Sequence, residues 1–413
     1  LDPRLPGTPA RPEGALRAAA PMSPRHLRVV IAPDSFGGAL DSVAVAAAVA
    51  RGWARVRPDD TLVHAPMADG GEGTLAALRD ALGEAAETRS AEVHDPLGRP
   101  IAAEWLLLDG GRSAFIEMAA ASGLARLSPE ERTPASARAA STRGTGELLR
   151  AALDAGVERV TIGLGGSATT DGGAGLLAAL GLRLLDGSGS ELPDGGVALA
   201  AIAHTDPRGL DARLGDLPLT IASDVTNTLT GDGGAAATYG PQKGADPEAV
   251  AELDAALRAW GRAIESDTGR FVADLPGAGA AGGTTAGLLG FTNALLRPGV
   301  QVVAELVGLA SRLAEADLVI TGEGRADEQT LSGKAALGVA RLAPRAVPVV
   351  LLCGALGPGA AALEATGVFA LVQPVPDRPM ALDDAMGDSQ RLVENAAERL
   401  ARSVEIGLRL ADG

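Results

Sequence analysis

The stretch Val160-Thr161-Ile162-Gly163-Leu164-Gly165-Gly166-Ser167-Ala168-Thr169-Thr170-Asp171-Gly172-Gly173-Ala174-Gly175 decides how this chain is read. A β-branched run, Val160 to Ile162, feeds a loop of Gly, Ser and Thr. An apolar helical pattern on Leu176, Leu177, Leu180 and Leu184 follows. A strand-to-helix turn of this kind points backbone N–H groups at one spot, where the helix dipole also favours an anion. Glycine permits positive φ and lets a ligand come close to the backbone. The stretch therefore predicts a nucleotide's phosphates, or another small anion, near Gly163, Gly165, Gly166 and Ser167.

The same strand–loop–helix order appears on both sides of it. Arg28 to Ala32 is a short apolar run ending in Pro33-Asp34-Ser35-Phe36-Gly37-Gly38. Asp41 or Ser42 then caps a helix on Val45, Val49, Trp53 and Val56. A second strand, Thr61 to Pro66, leads through Ala68-Asp69-Gly70-Gly71-Glu72-Gly73-Thr74 to a stripe on Leu75, Leu78 and Leu82, stopped by Gly83. From Glu92 to Met118 the pattern changes to strand-like runs, Ile101–Leu108 and Ala114–Met118, joined by Asp-Gly-Gly, which predicts an antiparallel element. Asp246 and Pro247 open a well-marked helix. Pro276 to Gly283 reads as a crossing between domains or a surface linker. Beyond it come a helix over Val302–Ala314, a strand Asp317–Thr321, the loop Gly322–Asp327, a helix from Lys334 to Leu342, strands Val347–Cys353 and Val368–Val372, and a helical tail Gln390–Leu410. The fold class is α/β in two domains. Both chain ends (27–90 and 287–413) form a Rossmann-like parallel-sheet domain, and 91–286 form an inserted second α/β domain. Residues 1–26, with six prolines and no apolar period, read as a disordered leader.

Composition excludes several classes of partner. With 36 Lys and Arg against 52 Asp and Glu, the net charge of −16 argues against nucleic acid and anionic membrane surfaces, though not against a small anion held locally. The single cysteine, Cys353, sits in an apolar run, and a chain without a disulfide framework fits a reducing cytoplasm. No apolar run reaches membrane-spanning length. Only Lys243 and Lys334 are lysines and only Asn227, Asn293 and Asn395 asparagines, so those inside Gly-rich loops draw notice.

Five loops at predicted strand ends carry Asp34/Ser35, Asp69/Glu72, Ser167/Asp171, Asp224/Asn227 and Glu323/Arg325/Asp327. One such loop is an ordinary turn. Five lining the carboxyl ends of a parallel sheet suggest a Mg²⁺ and phosphate site. One Cys and four dispersed His do not suit zinc. Arg325 suits a carboxylate gripped by two parallel hydrogen bonds; its alternative is an ion pair with Asp327 or Glu323. Lys334, opening a helix, suits phosphate charge; its alternative is a solvated helix residue. Lys243 divides evenly between ligand contact and loop solvation. Gly163 to Ala168 also fits G-x-G-x-x-A with Asp186 about 20 residues on, the pattern of a nicotinamide-dependent dehydrogenase.

Taken together, Ala32-Pro33-Asp34-Ser35-Phe36, Ala68 to Thr74, Phe115-Ile116-Glu117-Met118-Ala119, Ser141-Thr142-Arg143-Gly144-Thr145-Gly146-Glu147, the central glycine loop, Ser223-Asp224-Val225-Thr226-Asn227, Gly240-Pro241-Gln242-Lys243-Gly244-Ala245 and Gly322 through Lys334 closely resemble the glycerate kinase family of the bacterial glycerate 2-kinase type. The resemblance runs from about Arg28 to Gly407. It implies ATP-dependent phosphorylation of D-glycerate with Mg²⁺, in a cleft between two α/β domains. Under it, Asp224 orients or deprotonates the glycerate hydroxyl and Lys334 offsets charge on the transferred group. Ser35, Asn227 and Arg325 hold substrate, Gly163, Gly165, Gly166 and Ser167 cradle the ATP phosphates, and Asp69 and Asp171 hold Mg²⁺. A homodimer is among the assemblies it allows. The family usually has Lys at Gly37, Asn at Thr170, and Pro at Thr228 and Ala336. The missing lysine keeps open a second reading, a kinase-like protein that binds nucleotide or organic acid with little turnover.

Overall fold

The computed structural model describes residues 25–332 and 335–411. Most of the expected leader, and Lys334, lie outside the described residues. The strands are β1 (Arg28–Ile31), β2 (Thr61–His64), β3 (Glu87–His94), β4 (Pro100–Leu108), β5 (Ser113–Glu117), β6 (Arg159–Gly163), β7 (Arg183–Asp186), β8 (Ile202–Asp206), β9 (Leu219–Ala222), β10 (Leu295–Arg297), β11 (Leu318–Ala326), β12 (Val349–Leu356) and β13 (Leu371–Pro374).

Both chain ends build one parallel sheet, in the order β13-β12-β11-β1-β2. Its strands are apolar on both faces, as helix-covered parallel strands must be. Val29 and Ile31 pack with Val45, Val49 and Trp53 of helix Ser42–Ala54 and with Leu392, Ala396 and Leu400 of helix Ser389–Ala411. Val30, on the opposite face, packs with Leu75, Leu78, Val303, Leu309 and Val339 from four further helices. Asp41 caps the first helix, its carboxylate accepting from Ala44 N, as its position predicts.

The second sheet runs β10-β9-β6-β5-β4-β3, parallel through its centre and antiparallel at the β5-β4-β3 end. Leu106, Leu108 and Phe115 on one of its faces join the same core as Leu75, Leu78, Val300 and Val303. That shared core fixes how the loops of one sheet meet those of the other.

Four local expectations need correction. Strand β10, expected within the chain-end segment 287–413, pairs instead with β9, so the second sheet draws on chain up to Arg297. The helix after the glycine loop is only Ala174–Ala179, and Leu184 lies in β7, because Gly181 turns the chain at φ 101°. Pro276–Gly283 is not a linker: Ala281, Gly282 and Gly283 make a buried left-handed turn, and the Gly282 carbonyl accepts from Gly172 N at 3.0 Å. Gly322–Ala326, read as a loop, continues β11 with Arg325 opposite Ala355 of β12.

Candidate active site

The loops that follow β1, β2 and β9 each end in an aspartate held by backbone amides. Asp34 accepts from Ser35 N at 2.7 Å and its own N–H donates to Gly322 O. Asp69 accepts from Gly71 N at 2.8 Å. Asp224 caps helix Gly299–Leu306, accepting from Gly299 N at 3.0 Å and more weakly from Val300 N at 3.4 Å. These loops touch backbone to backbone. A Cβ on Gly299 would overlap the Asp69 carbonyl, and one on Gly165 would overlap Gly71 Cα. Only glycine admits that approach, which is the physical reason for the Gly-rich sequence here.

Three cavities share the Asp34 wall. One of about 920 Å³ reaches Asp34, Asp69 and Asp224. A second, about 450 Å³, holds Asp34, Ser35, Glu323 and Arg325. A third, about 280 Å³, holds Asp34, Ser35, Asp69, Gly165 and Gly166. Asp34 lines all three. Burial, helped by the nearby charges of Asp69 and Glu323, pushes its carboxyl up to about 6 against the opposing hydrogen bond from Ser35. Asp224 is also raised, first by loss of water and then by Asp69, although its side chain opens onto the cavity and the two helix amides pull the other way.

The structure thus brings Ser35, Asp69, Gly165, Gly166, Asp224 and Arg325 onto connected cavities. Arg325 pairs with Asp327, Nε to Oδ2 at 3.2 Å, but is 60 % exposed at its side chain, so the guanidinium still faces solvent. Other expected residues are used internally. Gly163 is buried in β6 under the Gly70 carbonyl and the Phe115 ring. The Ser167 hydroxyl accepts from Lys243 Nζ at 2.9 Å. Asn227 braces its own loop, donating to Gly233 O and Thr238 Oγ1 and accepting from Tyr239 OH. Asp171, expected on a metal, is fully buried and accepts from Thr142 N, Thr142 Oγ1, Gly173 N and Gly175 N. It fills the helix N-terminus that the sequence offered to a phosphate, and no surface remains for a metal. Several other amides of the glycine loop are also spent: Leu164 on Ala222 O, Gly165 on Gly70 O, Ala168 on Ser122 O and Gly172 on Gly282 O.

Two residues carry more than the sequence assigned them. Asp34 is one of eleven such residues in the strand-end loops, and only the topology puts it at a junction. Lys243 is 2 % exposed, donates to Ser167 Oγ and to Thr169 O at 2.6 Å, and burial pushes its ammonium down to about 7 against the attraction of Asp171. Its scarcity in this chain was the one available signal.

The glycerate kinase family model matches residues 29–405. A glycerate kinase of Halalkalibacterium halodurans is 45 % identical over 374 residues, 90 % of this chain and 97 % of that protein. The glycerate 2-kinase of Escherichia coli is 41 % identical over 386 residues, 93 % of this chain and 100 % of that protein. The chain belongs to the glycerate kinase family. A crystal structure from Salmonella typhimurium LT2, provisionally named glycerate kinase 2, superposes with a TM-score of 0.80 at 43 % identity, covering 93 % of this chain and 100 % of that one. In this glycerate kinase family member, Gly37 stands on the wall of the 450 Å³ cavity, and a Cβ there would meet nothing within 4 Å. A side chain at this position would therefore have room to enter the cavity.

Asp34, Asp69 and Asp224 line one cavity, and the Asp69 charge helps to raise the carboxyls of both Asp34 and Asp224. Among the described residues no three acidic, His or Cys groups form a ready-made metal cage. Mg²⁺ usually keeps several waters and takes one or two protein carboxylates plus substrate phosphates.

Proposed function

We propose that this protein transfers the γ-phosphoryl group of ATP to the 2-hydroxyl of D-glycerate, giving 2-phosphoglycerate and ADP. The observation that carries the proposal is the single carboxylate, Asp34, shared by an ATP-sized cavity, the Arg325 cavity and the small cavity beside Gly165 and Gly166. The family relationship supplies the substrate class.

In this mechanism Arg325 holds the glycerate carboxylate and Ser35 hydrogen-bonds to the substrate. The Asp34 carboxylate takes the proton from the glycerate hydroxyl as its oxygen attacks the γ-phosphorus. The bond to the bridging oxygen breaks and ADP leaves. A carboxylate raised to about 6 is ionised at neutral pH yet basic enough to share that proton. This moves the base from Asp224, which lines only the first of these three cavities, to Asp34, which lines all of them. Asp69 and Asp224 would hold Mg²⁺, which supplies charge neutralisation on the phosphates. The cytoplasm is the proposed location: Cys353 is buried, its thiol pushed up to about 12 by burial. No described helix is long and apolar enough to cross a membrane.

Purified protein with Mg²⁺, ATP and D-glycerate should give a phosphomonoester whose ³¹P signal couples to one methine proton. Coupling to a methylene pair would place the phosphate on the 3-hydroxyl. Binding without any phosphoester would favour the non-turnover reading, and glycerate-dependent reduction of a nicotinamide the dehydrogenase.

A further inference from the structure

The glycine loop that the sequence offers to a nucleotide has its helix terminus filled by Asp171 and several of its amides spent internally. The cavity of about 920 Å³ lies elsewhere. Its three aspartates stand on loops from both sheets. Its other walls come from helices Gly299–Leu306, Leu309–Ala314 and Ala335–Leu342. Those walls carry Val300, Ala304, Leu309 and Leu342, with Gln301, Glu305 and Ser311 between them. Leu342 is 45 % exposed, an apolar side chain left open inside a concavity. Arg341 beside it is exposed, and no ion pair to it occurs among the described residues, in a chain where most surface arginines are paired.

A ligand suited to these walls needs an apolar flat portion, an anionic portion that meets Arg341, and a cation that meets the carboxylates. We propose that the nucleoside half of a magnesium nucleoside triphosphate lies in this cavity, its base between the 299–314 helices and helix Ala335–Leu342 and its phosphates directed to Asp34. This rests on the kinase reading and deepens it. The phosphate donor then enters along the helices of the parallel sheet, and the cavity at Ser35 and Arg325 is left to the acceptor.

Ala310 lines the cavity from an exposed position, so Ala310→Trp fills it without repacking a core. The variant should keep the wild-type melting curve, raise KM for ATP at least about tenfold and leave KM for D-glycerate within about threefold. An unchanged KM for ATP would overturn the assignment. Gln301→Trp, also exposed on the wall, serves if the first variant does not fold. A readout free of turnover is photolabelling with 2-azido-ATP and Mg²⁺. Label within residues 299–342, lost on adding excess ATP, supports the cavity, and label confined to 163–175 overturns it. If the wild type takes that label but makes no phosphoglycerate, the kinase reading fails and the cavity assignment stands.

Discussion

Asp34→Asn separates catalysis from stability. A half-buried carboxyl raised from 3.8 to about 6 binds its proton more tightly folded than unfolded. Between those values the native state holds more protons than the unfolded state, so stability falls as pH rises through the window. Above about pH 6 the whole cost is present, an upper figure of about 3 kcal/mol. Asparagine is isosteric, keeps an oxygen for Ser35 N and carries no charge, so the variant should be more stable than wild type at pH 8, by on the order of 1–3 kcal/mol. At pH 4 the gain should vanish, because Asp34 is then protonated in the folded protein. The assay is urea unfolding of both proteins at pH 4 and pH 8, alongside kcat and ATP binding. Loss of a general base should lower kcat about 10²–10⁴-fold while ATP binding strengthens or stays level. A variant less stable at pH 8, or one retaining wild-type kcat, would refute both the electrostatics and the role.

Further substitutions test the remaining parts. Arg325→Ala should raise KM for D-glycerate by at least about tenfold and leave KM for ATP nearly unchanged, measured by coupled ADP release, since the guanidinium pairs with Asp327 and still faces solvent. Gly165→Ala places a methyl on Gly71 Cα, so it should push apart the loops after β2 and β6 and lower kcat more than tenfold or so, with a visible fall in melting temperature. Asp69→Asn and Asp171→Asn should differ in kind. The first should raise the Mg²⁺ concentration needed for half-maximal rate. The second should leave that value alone and lower the stability read from urea unfolding by roughly 1–3 kcal/mol, because an amide cannot accept all four of the hydrogen bonds Asp171 now receives.

Local pattern made much of the framework legible. The apolar run of β1, the Asp41 cap and the Asp246-Pro247 helix start are each decided within a few residues, and the structure agrees. Gly322–Ala326 was misjudged because two glycines in five residues look like a turn, whereas there they let β11 pass close to Phe36 and Gly37. Ala281–Gly283 was misjudged for a related reason: a Gly-rich run reads as flexible, but here it is a buried turn packed against Thr169 and Thr170. At the site, spacing identified the right loops but not the use of each side chain. Asp69 and Asp171 look alike in sequence, both in Gly-rich loops after strands. One opens to a cavity and the other is sealed among four donors, a difference set by Thr142, 29 residues away in sequence from Asp171.

The central claim is that the acceptor hydroxyl meets its phosphoryl donor at Asp34. A crystal structure with D-glycerate, Mg²⁺ and a non-hydrolysable ATP analogue tests it most directly. The glycerate 2-hydroxyl is predicted within about 2.6–3.2 Å of an Asp34 oxygen, with the analogue's γ-phosphorus in line behind it. Glycerate bound with that hydroxyl on Asp224 or Asp171, and Asp34 touching neither ligand, would contradict it.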